Sequence, residues 1–409
     1  MKKLMVIPLV AAGMAAMVGC SKTPVKEAAK NDAINLANLD TAVAPGTDFY
    51  QYACGGWMKN NPLKPEYARF GTFDQLRDNN QEQIRTLIEG LSETPGQEGS
   101  VGQKIGMLFA MGMDSVKLNE DGYAPIKDQL AEINKLGTKD ELTKMVATLH
   151  KEGMAPFFAL YVGADEKNSS MNIVQLYQAG LGMGDRDYYL LEDESSQKMR
   201  EAYKNYITRL FTLIGSSPEQ ADAAVNAIMK IERGIAEVSF SREDLRDSQK
   251  NYNKMSIEDF KAKNDLLNWD VYFESMGMMD IKYLDAKQLS FYEGLSALMK
   301  NTTLDEQKYY LTFNLLSSAA PYLSDTIRTV RFNFYGKTMS GLKEERATWK
   351  RAVSTVESVL GEGVGKMYVE KYFPESSKTR MLKLVKNLQK ALGERIQAQT
   401  WMSDTTKAK

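Results

Sequence analysis

The sequence of 409 residues contains few of the side chains that most often bind metals, since it has two cysteines and one histidine. The cysteines are Cys20 and Cys54, and the histidine is His150. A single imidazole, with no second histidine, cysteine or acidic cluster at ligand spacing, does not make a zinc site. We therefore predict no metal ligand and no catalytic residue in this chain. We interpret His150 as a side chain that contacts the last carbonyls of a helix, rather than as a ligand or general base.

Several motifs that define enzyme classes are also absent from the sequence. It contains no G-x-S-x-G, no Walker loop, no G-x-G-x-x-G and no C-x-x-C. The 52 basic and 53 acidic residues give a net charge of −1, so no overall field attracts nucleic acid. Hydrophobic residues make up 43% of the chain, which is enough for a large core and excludes a disordered protein.

The first residues have the layout of an export signal. The segment MKKLMVIPLVAAGMAAMVGC carries two lysines, an apolar run and small residues before a cysteine. We predict a lipoprotein signal peptide at residues 1–20, with Cys20 as the lipid-bearing residue, followed by a flexible tether at residues 21–44. A plain secretory signal without a lipid is the alternative. The apolar run is shorter than the roughly 20 residues that a membrane span requires. The predicted location is a membrane-anchored lipoprotein that faces the periplasm or the cell surface.

Helix signals dominate the rest of the chain. Capping boxes at residues 138–141, 217–220 and 303–306 each predict the start of a helix. Aromatic and β-branched residues at 157–162 and 171–178, separated by turn residues, predict a β-hairpin. The predicted fold class is therefore mainly α, a multi-helix domain with one small β-hairpin. Further helices are predicted at residues 72–91, 102–115, 197–214, 345–360 and 377–402.

Five segments of the chain resemble a known family, in the same order along the sequence. The first contains YACGGWMKN and ARFGTFDQLR, the second GLGMGDRDYYL and the fourth FNFYGKTMSGLKEERATWKRAV. Together they resemble the N-terminal region of the zinc metalloendopeptidases of the neprilysin and endothelin-converting-enzyme type. The resemblance implies one helical domain at residues 45–409. The five segments are residues 45–80, 157–190, 241–255, 332–353 and 365–375.

The resemblance implies a peptidase function whose catalytic zinc motif this sequence does not contain. In the family, H-E-x-x-H supplies two zinc ligands and a general base, and a downstream glutamate is the third ligand. With one histidine, this sequence does not contain the motif. We therefore expect the N-terminal part of an exported zinc metalloendopeptidase that cleaves oligopeptides, inactive alone and binding no zinc itself. This part would cap the active-site cavity and restrict substrate size, with the catalytic domain in the same chain or in a separate one.

Three residues take roles from the resemblance. An arginine of the family reaches the substrate cleft near the C-terminal end of the bound peptide. It matches Arg69, and a second arginine matches Arg77. A planar guanidinium suits this role because it can bind a carboxylate with two hydrogen bonds, although surface or structural arginines are the alternative. The cysteine that matches Cys54 pairs in extracellular relatives with one near the end of the catalytic part, whereas a buried thiol that acts as a small hydrophobic side chain is the alternative here.

A stand-alone helical lipoprotein that binds peptides or glycans is the competing function. It would present exposed aromatic platforms to a sugar or a peptide. The tryptophans of this sequence each lie in a local apolar pattern, which favours burial instead. These tryptophans are Trp57, Trp269, Trp349 and Trp401.

Overall fold

A computed structural model of the chain describes residues 35–94 and 96–409. The predicted signal peptide at residues 1–20 therefore lies outside the described residues, as does most of the predicted tether. The chain divides into two compact units, and the boundary lies between Leu63 and Lys64.

The first unit is built around helix α1 (Phe49–Asn60). A short 3-10 turn, Leu36–Asn38, precedes the helix and contacts it. The amide of Asp40 donates a hydrogen bond of 2.8 Å to the carbonyl oxygen of Tyr52, inside α1. Residues 35–44, which the sequence pattern places in a flexible tether, are thus attached to this helix.

The second unit is mostly helical and carries a small sheet, which confirms the predicted fold class. Its N-terminal helices are α2 (Thr72–Glu93), α3 (Val101–Met113), α4 (Ser115–Asp121), α5 (Lys127–Lys135) and α6 (Lys139–Lys151). Its central elements are β1 (Phe158–Asp165), β2 (Asn168–Gln178), α7 (Asp187–Leu190), α8 (Glu194–Leu213), α9 (Pro218–Val238), β3 (Lys254–Ser256), α10 (Ile257–Lys263), α11 (Trp269–Ser275), β4 (Tyr283–Ala286) and α12 (Leu289–Lys300). Its C-terminal elements are α13 (Leu304–Ala319), α14 (Asp325–Arg331), a π-helix (Phe332–Met339), α15 (Thr348–Tyr372), α16 (Glu375–Gln397) and α17 (Asp404–Ala408).

All three predicted capping boxes form. In each, the hydroxyl of the first residue accepts the amide of the residue three positions later, whose side chain bonds back to the first amide. Two backbone donors that the helix cannot satisfy internally are thereby paired at the start of α6, α9 and α13. The pairs are Thr138 with Glu141, Ser217 with Gln220, and Thr303 with Glu306.

The predicted hairpin is confirmed and belongs to a larger sheet. Strands β1 and β2 pair in antiparallel register, from Phe158 opposite Gln178 to Asp165 opposite Asn168. Strand β4 pairs with β2 in parallel, and β3 pairs with β4 in antiparallel orientation, so the order is β1-β2-β4-β3. Strands β3 and β4 contain three and four residues, too few to show an alternating pattern in the sequence.

Two hydrophobic clusters fill the second unit. The larger includes buried residues of helices α5, α6, α8, α9, α12 and α13 and of the sheet. The smaller lies between α2, α3 and α15, and its inner residues include Ile84, Ile88, Ile105, Phe109, Val353 and Val356. Helix α15 contains a kink at Leu360, the residue at which the predicted helix ends. The smaller cluster holds α2 in place, and with it the candidate site.

Helix α16 buries none of its residues. Its exposed apolar side chains include Leu382, Leu384, Leu388 and Leu392, and Trp401 beyond the helix is also exposed. Such a continuous apolar face is uncommon on the surface of a monomeric soluble protein. Among the helices of the described residues, none is both long enough and apolar enough to cross a membrane.

Candidate functional site

The two arginines predicted to contact a peptide lie at the start of α2. Arg69 precedes the helix, is exposed, and makes no hydrogen bond or ion pair with any residue in the described ranges. Arg77 donates a hydrogen bond of 2.6 Å to Asp74, whose other carboxylate oxygen accepts the amide of Gly71 at 2.9 Å. The guanidinium of Arg77 also lies 5.6 Å from the centre of the Tyr67 ring. Arg77 is therefore held in position, whereas the charge of Arg69 is available to a ligand.

A half-buried carboxylate, that of Asp78, attaches the segment before α2 to helix α15. One of its oxygens accepts Lys64 at 2.8 Å, and the other accepts the Tyr67 hydroxyl and Lys350. Lys350 also binds Glu66 at 2.5 Å. Partial burial opposes ionisation, but the bonds from Lys64, Tyr67 and Lys350 lower the pKa of Asp78 to about 2. The carboxylate of Asp78 therefore stays charged at neutral pH. It holds Tyr67, and the ring of Tyr67 contacts Arg77.

Two exposed apolar side chains lie in α2 near Arg77 and were not predicted. Phe73 is 87% exposed and Leu76 is 56% exposed. Phe73 and Arg77 are four residues apart in α2, so their side chains are neighbours on the helix surface. Phe73 also lies about three helical turns before Ile84, on the face that Ile84 and Ile88 bury. The sequence pattern alone would assign Phe73 to the core, and only the tertiary structure shows it exposed.

His150 has a structural role, with partners that differ from the predicted ones. It lies in the last turn of α6. Its Nδ1 atom is 2.6 Å from the hydroxyl of Tyr272, and its Nε2 atom is 3.1 Å from the carbonyl oxygen of Pro156. The prediction that it contacts the last helix carbonyls is wrong, because the chain after α6 turns back over the ring. Burial lowers the pKa of His150 to about 4, so the ring is neutral at physiological pH.

Of the two cysteines, the structure describes Cys54. Cys54 lies in α1, is half-buried and forms no disulfide. The pairing implied by the resemblance stays a prediction. Cys20, the predicted lipidation site, lies outside the described residues.

A buried carboxyl group lies under the glycine-rich loop that contains Gly182. Glu232 of α9 is 1% exposed and accepts hydrogen bonds from the hydroxyls of Tyr189 at 2.6 Å and Tyr203 at 3.0 Å. The Tyr189 oxygen in turn accepts the amide of Met183 at 2.9 Å. Burial raises the pKa of Glu232 to about 8, against the opposing effect of the two tyrosine bonds. This network joins the loop to helices α8 and α9, and it is enclosed, which indicates a structural role.

Comparison with known proteins gives the class of this fold. Residues 45–409 match the model described as Peptidase family M13. The chain is 29% identical over 385 residues to endothelin-converting enzyme 1 of Homo sapiens, covering 91% of this chain and 49% of that protein. It is 26% identical over 397 residues to neprilysin-11 of Caenorhabditis elegans, covering 91% and 46%. The chain thus spans about half the length of these curated relatives.

Solved structures agree with this class. The crystal structure of Mycobacterium tuberculosis zinc metalloprotease Zmp1 with an inhibitor matches with a TM-score of 0.85 and 28% identity, over 92% of this chain and 57% of that one. PepO from Lactobacillus rhamnosis, at 20% identity and a TM-score of 0.75, over 90% of this chain and 58% of that one, shares the fold. The fold is that of the helical N-terminal domain of these peptidases. The chain belongs to peptidase family M13, as the five sequence segments predict.

The described residues do not fit the zinc ion that this family implies. No group of three or more histidine, cysteine, aspartate or glutamate side chains in residues 35–94 and 96–409 could hold a metal ion. Both ring nitrogens of His150 already have protein partners.

Proposed function

We propose that this chain is the non-catalytic helical part of an exported zinc metalloendopeptidase that cleaves oligopeptides. In this proposal it binds the peptide substrate through the start of α2. The observation that carries it is the pair of arginines in a chain of this family. Arg69 has no partner among the described residues, and Arg77 is held in position by Asp74.

The chemistry of this surface favours a peptide with a free carboxylate. A guanidinium binds a carboxylate through two parallel hydrogen bonds, and such charge-assisted bonds are about twice as strong as neutral ones. Arg69 would supply the main contact, because the charge of Arg77 is already shared with Asp74. The exposed ring of Phe73 would cover an apolar side chain of the same peptide.

The remaining parts of the proposal concern the complete enzyme. The apolar face of α16 supports a covering catalytic domain, in the same chain or in a separate one. A helical domain that caps the cavity would admit flexible oligopeptides and exclude folded proteins. Zinc would belong to that catalytic domain, so this chain alone would be inactive. A lipid on Cys20 would anchor the enzyme to the membrane, facing the periplasm or the cell surface.

Peptide binding to the purified chain of 409 residues tests the role of the arginines. Two fluorescent peptides of the same sequence, one a free acid and one an amide, are titrated by anisotropy. We expect Arg69→Gln to weaken binding of the acid by about five- to tenfold, and Arg77→Gln to weaken it less. Arg233→Gln is the matched control, because Arg233 is an exposed arginine of α9, paired with Glu237.

Three results would contradict the proposal. Equal affinity for the acid and the amide, or an unchanged affinity in Arg69→Gln, would show that Arg69 does not bind the carboxylate. Hydrolysis of peptides by this chain, together with stoichiometric zinc, would show that it is catalytic itself. Separately, a co-purifying protein with H-E-x-x-H would identify the catalytic domain as a second chain.

The glycan-binding alternative receives less support from the tryptophans. Trp269 is buried in the core, and Trp57 and Trp349 are half-buried. The guanidinium of Arg85 lies 4.5 Å from the centre of the Trp349 ring. Trp401 is exposed, but one ring does not form the extended platform that a sugar chain requires.

A further inference from the structure

A cavity of about 390 Å³ lies between α14, the π-helix and α15. Its lining is unusual in charge, because it contains four arginines and a single acidic residue, Glu345. It also contains aromatic rings from Tyr322, Phe332 and Tyr335. The four arginines are Arg328, Arg331, Arg346 and Arg351.

Two of the arginines share the one acidic residue of the lining. Arg328 Nε lies 3.0 Å from one oxygen of Glu345, and Arg351 Nη1 lies 2.9 Å from the same oxygen. Arg328 also binds Asp325, at the edge of the cavity. The carboxylates Asp325 and Glu345 therefore pair with these two arginines and make no hydrogen bond to Arg331 or Arg346.

Arg331 has only neutral partners. Its Nε atom donates to the carbonyl oxygen of Ser317 at 3.2 Å, and its guanidinium lies 4.9 Å from the centre of the Tyr335 ring. Its two Nη atoms make no hydrogen bond with any residue that the structure describes. Up to four N–H donors of one guanidinium are thus left at the cavity.

Arg346 is also bound by neutral groups. It donates to the side-chain oxygen of Gln81 at 3.0 Å and to the hydroxyl of Ser354 at 3.4 Å. Glu357 interacts with it electrostatically without a hydrogen bond, and burial raises the pKa of Glu357. Burial, together with the neighbouring Arg328, lowers the pKa of Arg351. The cavity therefore concentrates cations that are partly removed from water and incompletely paired, which is unfavourable without an anion.

We propose that this cavity binds a phosphate group, either as inorganic phosphate or as a small phosphate monoester. A planar carboxylate presents two oxygens, whereas a tetrahedral phosphate presents oxygens in several directions and can accept from arginines on different helices at once. The cavity has room beyond one phosphate group. The rings of Tyr322 and Phe332 would contact the organic part of a monoester. This site shares no lining residue with the proposed peptide-binding surface and does not depend on the proposed peptidase function.

Calorimetric titration of the full chain at constant ionic strength tests the site. The ligands are inorganic phosphate, glycerol 2-phosphate and acetate, with chloride as the background anion. We expect both phosphates to bind and acetate to bind much more weakly. Arg331→Gln is expected to weaken phosphate binding by at least about tenfold, and Arg331→Lys by less, because lysine keeps the charge but loses the planar fork. Arg233→Gln, with the same chemical change on α9, is expected to bind as the wild type does.

The outcomes separate the possible ligands. Tighter binding of glycerol 2-phosphate than of phosphate identifies a monoester site, and the reverse order identifies an inorganic phosphate site. Acetate binding as tight as phosphate binding, no heat with either phosphate, or equal phosphate affinity in wild type and Arg331→Gln would overturn the proposal. If Arg331→Gln does not fold by circular dichroism, Arg346→Gln provides the same comparison.

Discussion

Replacement of Gly182 by alanine is expected to destabilise the second unit strongly. A β-carbon at this position would lie 1.8 Å from the hydroxyl oxygen of Tyr203, 2.8 Å from its Cζ atom and 3.1 Å from a carboxyl oxygen of Glu232. Tyr203 is completely buried, and its ring contacts those of Tyr206 and Phe334 at centroid distances of 6.3 and 5.1 Å. The ring therefore cannot move aside without disturbing its neighbours.

The size of the effect follows from two contributions. Overpacking of a well-filled core costs about 1–3 kcal/mol. Displacement of Tyr203 would also break its hydrogen bond to Glu232, and a buried polar group left unpaired costs about 1–3 kcal/mol. The expected loss is therefore about 2–6 kcal/mol, a large part of the roughly 5–15 kcal/mol that stabilises a typical domain.

Urea unfolding followed by circular dichroism measures this loss. Gly90→Ala is the matched control, because Gly90 lies inside α2 and no atom would approach its β-carbon within 4 Å. There the same substitution is expected to stabilise the helix by up to about 1 kcal/mol. If Gly182→Ala unfolds within about 0.5 kcal/mol of the wild type, with an unchanged denaturant slope, the described packing around the loop is wrong.

Two further substitutions test local features. Burial raises the pKa of Glu232 from 4.5 to about 8, so its contribution to stability is complete below pH 4.5 and is lost as pH rises through 8, by about 5 kcal/mol. Glu232→Gln should remove this decline, and urea unfolding at several pH values would contradict the reasoning if both proteins showed the same decline. Thr138→Ala, which removes the cap of α6, should cost about 1 kcal/mol, whereas the control Thr86→Ala, at an exposed position inside α2, should stabilise the helix slightly, because alanine has the higher helix propensity; thermal unfolding measures both.

Local features of the fold could be predicted because their causes are local. A capping box places both of its partners within four residues, so the starts of α6, α9 and α13 are visible in the sequence. Helix α9 begins at Pro218, directly after Ser217 of its capping box. The hairpin could be predicted for the same reason, because a short turn joins its two strands. Strands β3 and β4 could not be predicted. Their pairing depends on partners far away in the chain, and strands of three or four residues carry too little pattern.

The candidate site was predicted only in part. Arg69 and Arg77 came from the resemblance to the family, because an exposed arginine carries no local signal of its role. The fixed position of Arg77 depends on Asp74 and Tyr67. The exposure of Phe73 could not be predicted, since the helical spacing that buries Ile84 also includes Phe73.

The amino-acid sequence by itself determined the family, the mainly α fold class and the absence of an H-E-x-x-H zinc motif, because each depends on residue identities or short spacings. Only the tertiary structure decided which side chains lack partners. The burial and pairing of a side chain depend on the elements that pack around it, and those elements can be far apart in the chain. Gln81 and Arg346, for example, meet across 265 positions of sequence at the arginine-lined cavity.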